Sequence, residues 1–284
     1  MIMKKDVTLM EKIARITTQK KNKQRYNIYL VHGRGDQYSF SVDEAILIEY
    51  RLRKGMELTK KLIKQLKQKD NYYKSYALAI NYLSYRMRTK KEIYDYLRQK
   101  EVEENYIPDI MDKLVEEGLL DDEQFAEAFV ITRINTSSKG PQLVKKELIE
   151  KGVAVRIAEE AIREYTYEVQ YEKAMKWAEK RLRTTKRDSF QKRQQKMQAT
   201  LMQKGFTYDV ISEVLDEIQS ARDTVEEWEA LSYHGEKLFH RHSKKVSGYE
   251  LHQKVKEGLY RQGFPFEKIN RYIDEQVKEW ESNE

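Results

Sequence analysis

The residues that decide the fold lie between positions 85 and 97: Tyr85-Arg86-Met87-Arg88-Thr89-Lys90-Lys91-Glu92-Ile93-Tyr94-Asp95-Tyr96-Leu97. Thr89 and Glu92 are three residues apart and precede an apolar run, which is the spacing of a reciprocal capping box at a helix N-terminus. Ile93 and Leu97 then lie one turn apart on the same helix face. We therefore predict a helix that begins after Thr89 and buries these two residues.

Four cations surround the start of this helix: Arg86, Arg88, Lys90 and Lys91. A helix N-terminus already carries partial positive charge, so cations placed there do not stabilise the helix. We therefore expect them to contact a partner.

An apolar pattern anchored on Leu97 occurs four times along the chain. In each copy one apolar residue stands four positions before an anchor leucine, and others stand five, ten and fourteen positions after it. The twenty positions are Ile93, Leu97, Val102, Ile107, Met111; Val144, Leu148, Val153, Ala158, Ile162; Met197, Leu201, Phe206, Ile211, Leu215; and Val255, Leu259, Phe264, Ile269, Ile273. Only 39% of the chain is hydrophobic, so this agreement indicates a repeated supersecondary unit that stacks on its neighbours to bury its apolar face.

Each unit is predicted to contain three helices. The first is amphipathic, and its copies are expected at residues 77–85, 123–134, 171–182 and 228–239. The second helix carries the anchor leucine. In three units it is predicted to end at a glycine suited to a helix C-cap: Gly152, Gly205 and Gly263. In the first unit Glu101 takes that place. Start signals at Ser189 and Ser247 make this helix about one turn longer in the last two units, and Ser247 with Glu250 predicts another capping box. The third helix carries the last two positions of the pattern.

The first 70 residues carry strand signals instead. β-Branched and aromatic residues at 13–17 and 26–31 predict a hairpin, and a short third strand is expected at 38–40. This part of the chain is therefore predicted to contain a small sheet.

Helix signals follow those strands. Ser41 and Glu44 have capping-box spacing and predict a helix that ends near Gly55. Thr59 is expected to cap a further helix that ends at Lys69. Together with the hairpin, these helices predict a separable N-terminal module.

The predicted fold is therefore mainly α: an elongated array of tandem three-helix repeats with a small N-terminal β-hairpin or sheet-plus-helix module. The expected domains are residues 1–70, 71–120, 121–168, 169–222 and 223–284. Composition agrees, because 36% of residues are charged while Gly (11) and Pro (3) are scarce. The sequence has no apolar run of membrane-spanning length, no signal-peptide core and no cysteine. We expect a cytoplasmic protein with no membrane partner.

Charge is sorted within the repeated unit. The formal net charge of +7 favours polyanionic partners. Cations recur around the junction of the first and second helices, and these are the candidate partner-binding and DNA-binding residues: Arg86, Arg88, Lys90, Lys91, Arg133, Lys139, Lys145, Lys146, Arg181, Arg183, Lys186, Arg187, Arg241, Lys244 and Lys245. The third helices are acidic instead, as at Glu159 and Glu160. Solvated helix surface explains most charge runs, but recurrence at one place in four units favours an edge that faces a polyanion or an acidic protein.

Signals of catalysis are missing from this pattern. His240 and His242 are two residues apart and point to different sides of a helix, which does not suit a shared metal ion. Gly33-x-Gly35 joins two predicted strands and does not enter a helix, unlike a phosphate-binding loop. The sequence also has no nucleophile elbow or Walker loop. We expect no enzyme activity, no metal site and no cofactor.

Tyrosines lie among the cations of the first unit: Tyr82, Tyr85, Tyr94 and Tyr96. They could stack on nucleic-acid bases, whereas aromatic residues at helical spacing usually belong to a core. Both interpretations stay open from the sequence.

Three blocks in order resemble the RecX family of RecA regulators. They are Ala79-x-x-Tyr82-Leu83-x-x-Arg86-x-Arg88-Thr89-x-x-Glu92-Ile93-x-x-x-Leu97, Leu119-Leu120-Asp121-Asp122-x-x-Phe125-Ala126, and Lys139-Gly140-Pro141-x-x-Val144-x-x-Glu147-Leu148-x-x-Lys151-Gly152. The resemblance is strongest over residues 75–166. Its carried-over positions are Arg86, Arg88, Thr89, Glu92, Lys139, Gly140 and Pro141. Thr89 and Glu92 are explained as a cap and Gly140-Pro141 as a turn into a helix, which leaves Arg86 and Arg88 as the best contact candidates.

The resemblance implies tandem three-helix units that lie in the groove of the RecA–DNA filament and alter its ATPase and strand exchange. It also implies a monomer that acts in homologous recombination, DNA repair and the SOS response, with the RecA filament and single- and double-stranded DNA as partners. The N-terminal module, the fourth unit and the Lys-, Arg- and Gln-rich second helix of the third unit depart from the family pattern and leave the sign of regulation open. Two other classes of function stay open: a helical-repeat protein that binds nucleic acid directly, and a scaffold that binds only proteins.

Overall fold

The computed structural model describes residues 10–184, 187–220 and 224–281. The chain divides into two compact units, Met1–Phe125 and Ala126–Glu284. The predicted class is confirmed: a small N-terminal antiparallel sheet is followed by helices arranged in three-helix repeats.

The N-terminal sheet has four antiparallel strands in the order β3-β2-β1-β4. Its elements are β1 (Met10–Thr18), β2 (Arg25–His32), β3 (Gly35–Asp43), α1 (Glu44–Glu49), β4 (Glu57–Thr59) and α2 (Lys60–Leu83). Apolar side chains from the strands and from both helices form one core, which includes Ile28, Val42, Ile46 and Leu66. The predicted hairpin is therefore confirmed.

Two helix predictions in this region were wrong in detail. Ser41 does not cap a helix, because β3 continues through it; Asp43 caps α1 instead and accepts a hydrogen bond from the Ala45 N–H at 3.0 Å. Thr59 does cap α2, but that helix continues to Leu83 instead of ending at Lys69. No glycine or proline interrupts residues 60–83, so nothing local ends the helix.

The remaining helices build the repeats. They are α3 (Lys90–Gln99), α4 (Ile107–Glu116), α5 (Asp122–Thr136), α6 (Pro141–Glu150), α7 (Val155–Ala161, continued by a 3-10 turn over Ile162–Glu164), α8 (Tyr167–Thr184), α9 (Phe190–Gln203), α10 (Tyr208–Ser220), α11 (Thr224–His242), α12 (Gly248–Arg261) and α13 (Phe266–Glu281). The second helices of the repeats are α3, α6, α9 and α12. The first two have 10 residues and the last two have 14, which confirms the extra turn.

The N-terminal caps of these second helices agree with the sequence in two of three cases. Thr89 and Glu92 form the reciprocal capping box, with bonds of 3.1 and 3.2 Å. The Ser189 hydroxyl accepts a bond from the Lys192 N–H at 3.3 Å. The capping box predicted at Ser247 is wrong, because that side chain makes no capping bond. The next residue, Gly248, has a φ of +57°, a left-handed entry that the spacing rule does not anticipate.

All four second helices end in the same hydrogen-bonding motif. The residue after each C-cap has a left-handed backbone, with φ of +57° at Glu101, +90° at Gly152 and +82° at Gly205 and Gly263. The following N–H then donates to the carbonyl of the anchor leucine: Val102 to Leu97, Val153 to Leu148, Phe206 to Leu201 and Phe264 to Leu259. This is the Schellman motif, in which the residues at the two ends of that bond also pack together. It explains the apolar residue five positions after each anchor.

Glu101 holds the left-handed position that glycine holds in the other three repeats. The left-handed backbone costs a residue with a side chain about 1–2 kcal/mol. Glycine avoids this cost but loses more conformational entropy on folding, which offsets part of the gain. Glu101→Gly should therefore raise the free energy of unfolding by roughly 0.5–1 kcal/mol in urea denaturation. The reverse change in the next repeat, Gly152→Glu, should lower it, and destabilisation by Glu101→Gly would contradict the shared motif.

Within the compact unit Ala126–Glu284, neighbouring three-helix repeats meet at the ends of their second helices. Gly140, at the start of α6, donates its N–H to the carbonyl of Lys204, at the end of α9, at 2.7 Å. One repeat further on, the Ser189 hydroxyl at the start of α9 donates to the carbonyl of Gln262, at the end of α12, at 2.5 Å. Acceptors that the C-terminus of one helix leaves unsatisfied are thus satisfied by the N-terminal residue of another.

The first of these junctions requires glycine on both sides. A Cβ at Gly140 would lie 2.5 Å from the backbone of Gly205 and Phe206, and a Cβ at Gly205 would lie 2.5 Å from the backbone nitrogen of Leu143. Pro141 is the first residue of α6, so the predicted turn into a helix is confirmed. The glycine before it has a second role, which is close contact between repeats.

The repeat positions form the cores of the helical part. All twenty are buried except Met111, Ile162 and Leu215, which are half-buried. No helix in the described part of the chain is both long enough and apolar enough to cross a membrane.

Candidate nucleic-acid interface

The first basic cluster lies at the start of α3. Arg86 is exposed and pairs with Glu92 at 3.2 Å. Arg88 is half-buried, with its guanidinium 3.9 Å from the centre of the Tyr82 ring, and Tyr82 stacks on Tyr96 with 3.9 Å between ring centres. Arg86 and Arg88 therefore also make contacts within the repeat, and their role as contact residues stays a prediction. The Tyr82–Tyr96 pair belongs to the packing of the repeat, which favours the core interpretation for these two tyrosines.

Lys90 and Lys91, in contrast, are exposed and form no ion pair with any residue that the structure describes. They occupy the first turn of α3, where the helix dipole opposes positive charge. Two apolar side chains, Tyr85 and Met87, are also exposed beside them, at 83% and 47%. Tyrosine and methionine are enriched at protein interfaces, and exposed lysines suit the phosphates of a nucleic acid.

Asp121 and Asp122 have structural roles near this cluster. The Asp121 carboxylate accepts bonds from the Glu123 and Gln124 N–H groups at 2.8 and 3.1 Å, which caps α5. The Asp122 carboxylate accepts a bond from the Lys90 N–H at 2.9 Å. Asp122 thereby fixes the start of α3 against the start of α5 and leaves the Lys90 side chain in solvent.

The second basic cluster is largely neutralised. Arg133 and Lys139 both pair with the carboxylate of Glu147, the arginine at 2.8 Å. Lys145 pairs with Glu159 at 2.8 Å, and this hydrogen bond lowers the pKa of the Glu159 carboxyl. These three cations therefore stabilise the second repeat instead of presenting free charge.

Lys146 is the exposed member of that cluster and reaches Glu150 only at 3.8 Å. The segment before α6 is also fixed by Tyr165, whose buried hydroxyl donates to the carbonyl of Lys139 at 2.5 Å. Burial raises the pKa of Tyr165 to about 12, so this donor keeps its proton even at the pH where an exposed tyrosine ionises.

The third and fourth clusters are exposed. Arg181 and Arg183 lie in the last turn of α8, where cations suit the helix dipole. Arg187 is exposed and lies 4.9 Å from the Tyr233 ring centre, while Lys186 falls outside the described residues. The fourth cluster, at the end of α11, is exposed and forms no ion pair with described residues: Arg241, Lys244 and Lys245.

The structure adds a basic groove that the sequence analysis missed. It has a volume of about 640 Å³ and lies between residues 134–138, at the end of α5, and one face of α8. Of the predicted residues only Arg181 lines it; the other cations are Lys173, Lys176 and Lys180, beside Trp177. The three-to-four-residue spacing of these lysines was a usable signal, because it places them on one helix face.

In the described part of the chain, no three His, Asp or Glu side chains are grouped so that they could hold a metal ion. The basic clusters and the groove present exposed cations and aromatic rings. Such groups bind anions and stack on planar bases.

Family models match along most of the chain. Residues 11–59 match the regulatory protein RecX N-terminal domain, residues 76–114 the first RecX three-helix domain, and residues 121–162 the second. The third RecX three-helix domain matches twice, at residues 168–215 and 225–273. The repeated third match corresponds to the third and fourth units of the apolar pattern.

Similar proteins carry the same description over their full length. A regulatory protein RecX of Oceanobacillus iheyensis is 52% identical over 95% of this chain and 100% of its own. One of Halalkalibacterium halodurans is 43% identical over 93% and 99%.

Solved structures agree. A crystal structure of regulatory protein RecX, 38% identical, covers 72% of this chain and 99% of its own with a TM-score of 0.64. The crystal structure of RecX from Lactobacillus salivarius, 41% identical, covers 53% and 97% with a TM-score of 0.51. The chain belongs to the RecX family of regulatory proteins.

Proposed function

We propose that this protein is a non-enzymatic regulator of homologous recombination and DNA repair that binds the RecA–DNA filament and modulates its ATPase and strand exchange. Family membership supports the regulatory role, since the relatives are named regulatory proteins. The observation that carries the binding role is the exposed pair Lys90 and Lys91, which the helix dipole disfavours and no described carboxylate neutralises.

The contact surface in this proposal is the exposed subset of the predicted cations. It comprises Arg86, Lys90, Lys91, Lys146, Arg181, Arg183, Arg187, Arg241, Lys244 and Lys245. Arg133, Lys139 and Lys145 are assigned structural roles because each is half-buried and bound to a carboxylate. The protein acts as a monomer in the cytoplasm, where the filament forms, and contacts single- and double-stranded DNA as well as RecA.

The division of the chain into residues 1–70, 71–120, 121–168, 169–222 and 223–284 is part of this proposal. Four of the five family-model matches fall inside one of these ranges, and the match at residues 168–215 begins one residue before the range 169–222. The continuous helix α2 crosses the boundary at residue 70, so the N-terminal module and the first repeat share one helix.

The proposal is tested by RecA-catalysed, DNA-dependent ATP hydrolysis. The rate should change in proportion to added protein until the filament is saturated, in one direction only. A rate that is independent of the protein at concentrations above that of RecA would overturn the proposal.

A further inference from the structure

We infer that the basic groove between the end of α5 and α8 binds a single DNA strand directly, with its phosphates on Lys176 and Lys180 and a base against Trp177. The inference rests on the proposed function, because DNA is a partner in that proposal. It concerns residues that lie outside the basic clusters already described, apart from Arg181.

The charge of the groove favours an anion. Its lining includes four cations and no aspartate or glutamate. Lys176 and Lys180 are exposed and form no ion pair with any described residue. They are one turn apart, about 6 Å along the helix, so two charges face the groove in line and suit successive phosphates of a strand.

Two further lysines hold the groove in shape. Lys173 donates to the carbonyls of Arg133 and Ile134, at 3.2 and 2.6 Å, and so binds the C-terminal end of α5 to α8. Its burial lowers its pKa. Lys204 donates to the Ser138 hydroxyl at 2.7 Å. These bonds fix both walls before any ligand arrives, which reduces the entropy lost on binding.

The aromatic ring distinguishes a nucleic acid from a simple anion. Trp177 packs against the core of the third repeat and also lines the groove. Lys204 lies 5.6 Å from the centre of its ring. A volume of about 640 Å³ is in the range of small-ligand sites and admits one nucleotide. A base reaches such a ring only when it is unstacked, which favours a single strand over a duplex.

An acidic protein segment is the competing occupant. It would bind the cations but would gain little from a planar ring in the lining of the groove. The two occupants therefore differ in whether Trp177 contributes and in whether RecA is needed.

The experiment measures binding of the full-length protein to a labelled oligothymidylate, without RecA, at several salt concentrations. For the double variant Lys176→Gln and Lys180→Gln, the slope of log affinity against log salt should fall in magnitude by roughly 1.4, because each phosphate contact on a single strand contributes about 0.7. The matched control is Lys60→Gln with Lys61→Gln, an exposed pair in the first turn of α2. This control should keep the wild-type affinity and slope.

Fluorescence tests the ring in the same samples. With Trp228 and Trp280 replaced by phenylalanine, the remaining Trp177 should be quenched by the oligonucleotide and not by inorganic phosphate. Trp177→Leu should weaken binding by about 5- to 150-fold. Because Trp177 also packs against the core, its variant is interpreted only if its melting temperature equals that of the wild type. The exposed pair Lys176 and Lys180 provides a test that does not depend on folding.

Equal affinity and equal salt slope for wild type and the Lys176/Lys180 variant would overturn the inference. So would a variant that loses binding to the RecA filament but not to the oligonucleotide, because the groove would then bind protein. Since RecA is absent from the oligonucleotide assay, failure of the groove leaves the ATPase test of the proposed function intact, and a failed ATPase test leaves the groove result intact.

Discussion

Replacing Gly205 with alanine should lower the free energy of unfolding by roughly 2–5 kcal/mol. Two costs add at this position. The backbone has φ +82°, which costs a residue with a side chain about 1–2 kcal/mol. The new Cβ would also lie 2.5 Å from the backbone nitrogen of Leu143, and overpacking of this kind costs about 1–3 kcal/mol. Urea denaturation of the full chain, followed by circular dichroism, measures the sum.

Gly118→Ala is the matched control. Gly118 ends α4 with a φ of +69°, and no atom lies within 4 Å of the place where its Cβ would be. It should therefore show the backbone cost alone, about 1–2 kcal/mol. If the two alanine variants lose the same stability, the close contact between Gly205 and the start of α6 does not exist, and the account of how these repeats join is wrong.

Replacing Lys90 and Lys91 with glutamate should weaken binding to the RecA filament by about tenfold or more. If each lysine neutralises one phosphate, the slope of log affinity against log salt concentration should fall in magnitude by roughly 1.4–1.8. The melting temperature should stay equal or rise, because carboxylates at a helix N-terminus gain about 0.3–1 kcal/mol from the helix dipole. Loss of binding without loss of stability would separate contact from folding. Arg86 and Arg88 are less suitable, because their bonds to Glu92 and Tyr82 would also be lost.

Lys60 and Lys61 provide the control for this change. They too are the first two residues of a helix, follow a capping threonine and are exposed. Their reversal to glutamate makes the same change in net charge and in helix dipole. Filament binding by this control should equal that of the wild type, and equal losses for both pairs would mean that only net charge matters.

The repeats could be predicted from the sequence because their signals are local. The capping box at Thr89, the C-terminal glycines and the spacing around each anchor leucine all act within one helix and its ends. The same is true of the longer second helices, since Ser189 lies twelve residues before Leu201.

Contacts between distant parts of the chain could not be predicted in this way. Glu147 binds both Arg133 and Lys139, and only the fold shows that this carboxylate neutralises two predicted contact residues. The groove beside Trp177 likewise depends on α5 meeting α8. The continuation of α2 to Leu83 was missed for another reason. A domain boundary was predicted at residue 70, although no residue near it ends the helix.

The central claim is that the protein binds the RecA filament more tightly than it binds DNA alone. The most direct measurement compares its affinity for one labelled single-stranded oligonucleotide before and after RecA has coated it, in the same buffer and with a non-hydrolysable ATP analogue. We predict tighter binding to the coated strand, because exposed cations and apolar residues such as Tyr85 and Met87 then meet phosphate and protein together. Equal affinity, or tighter binding to the bare strand, would contradict the account and favour a protein that binds nucleic acid directly.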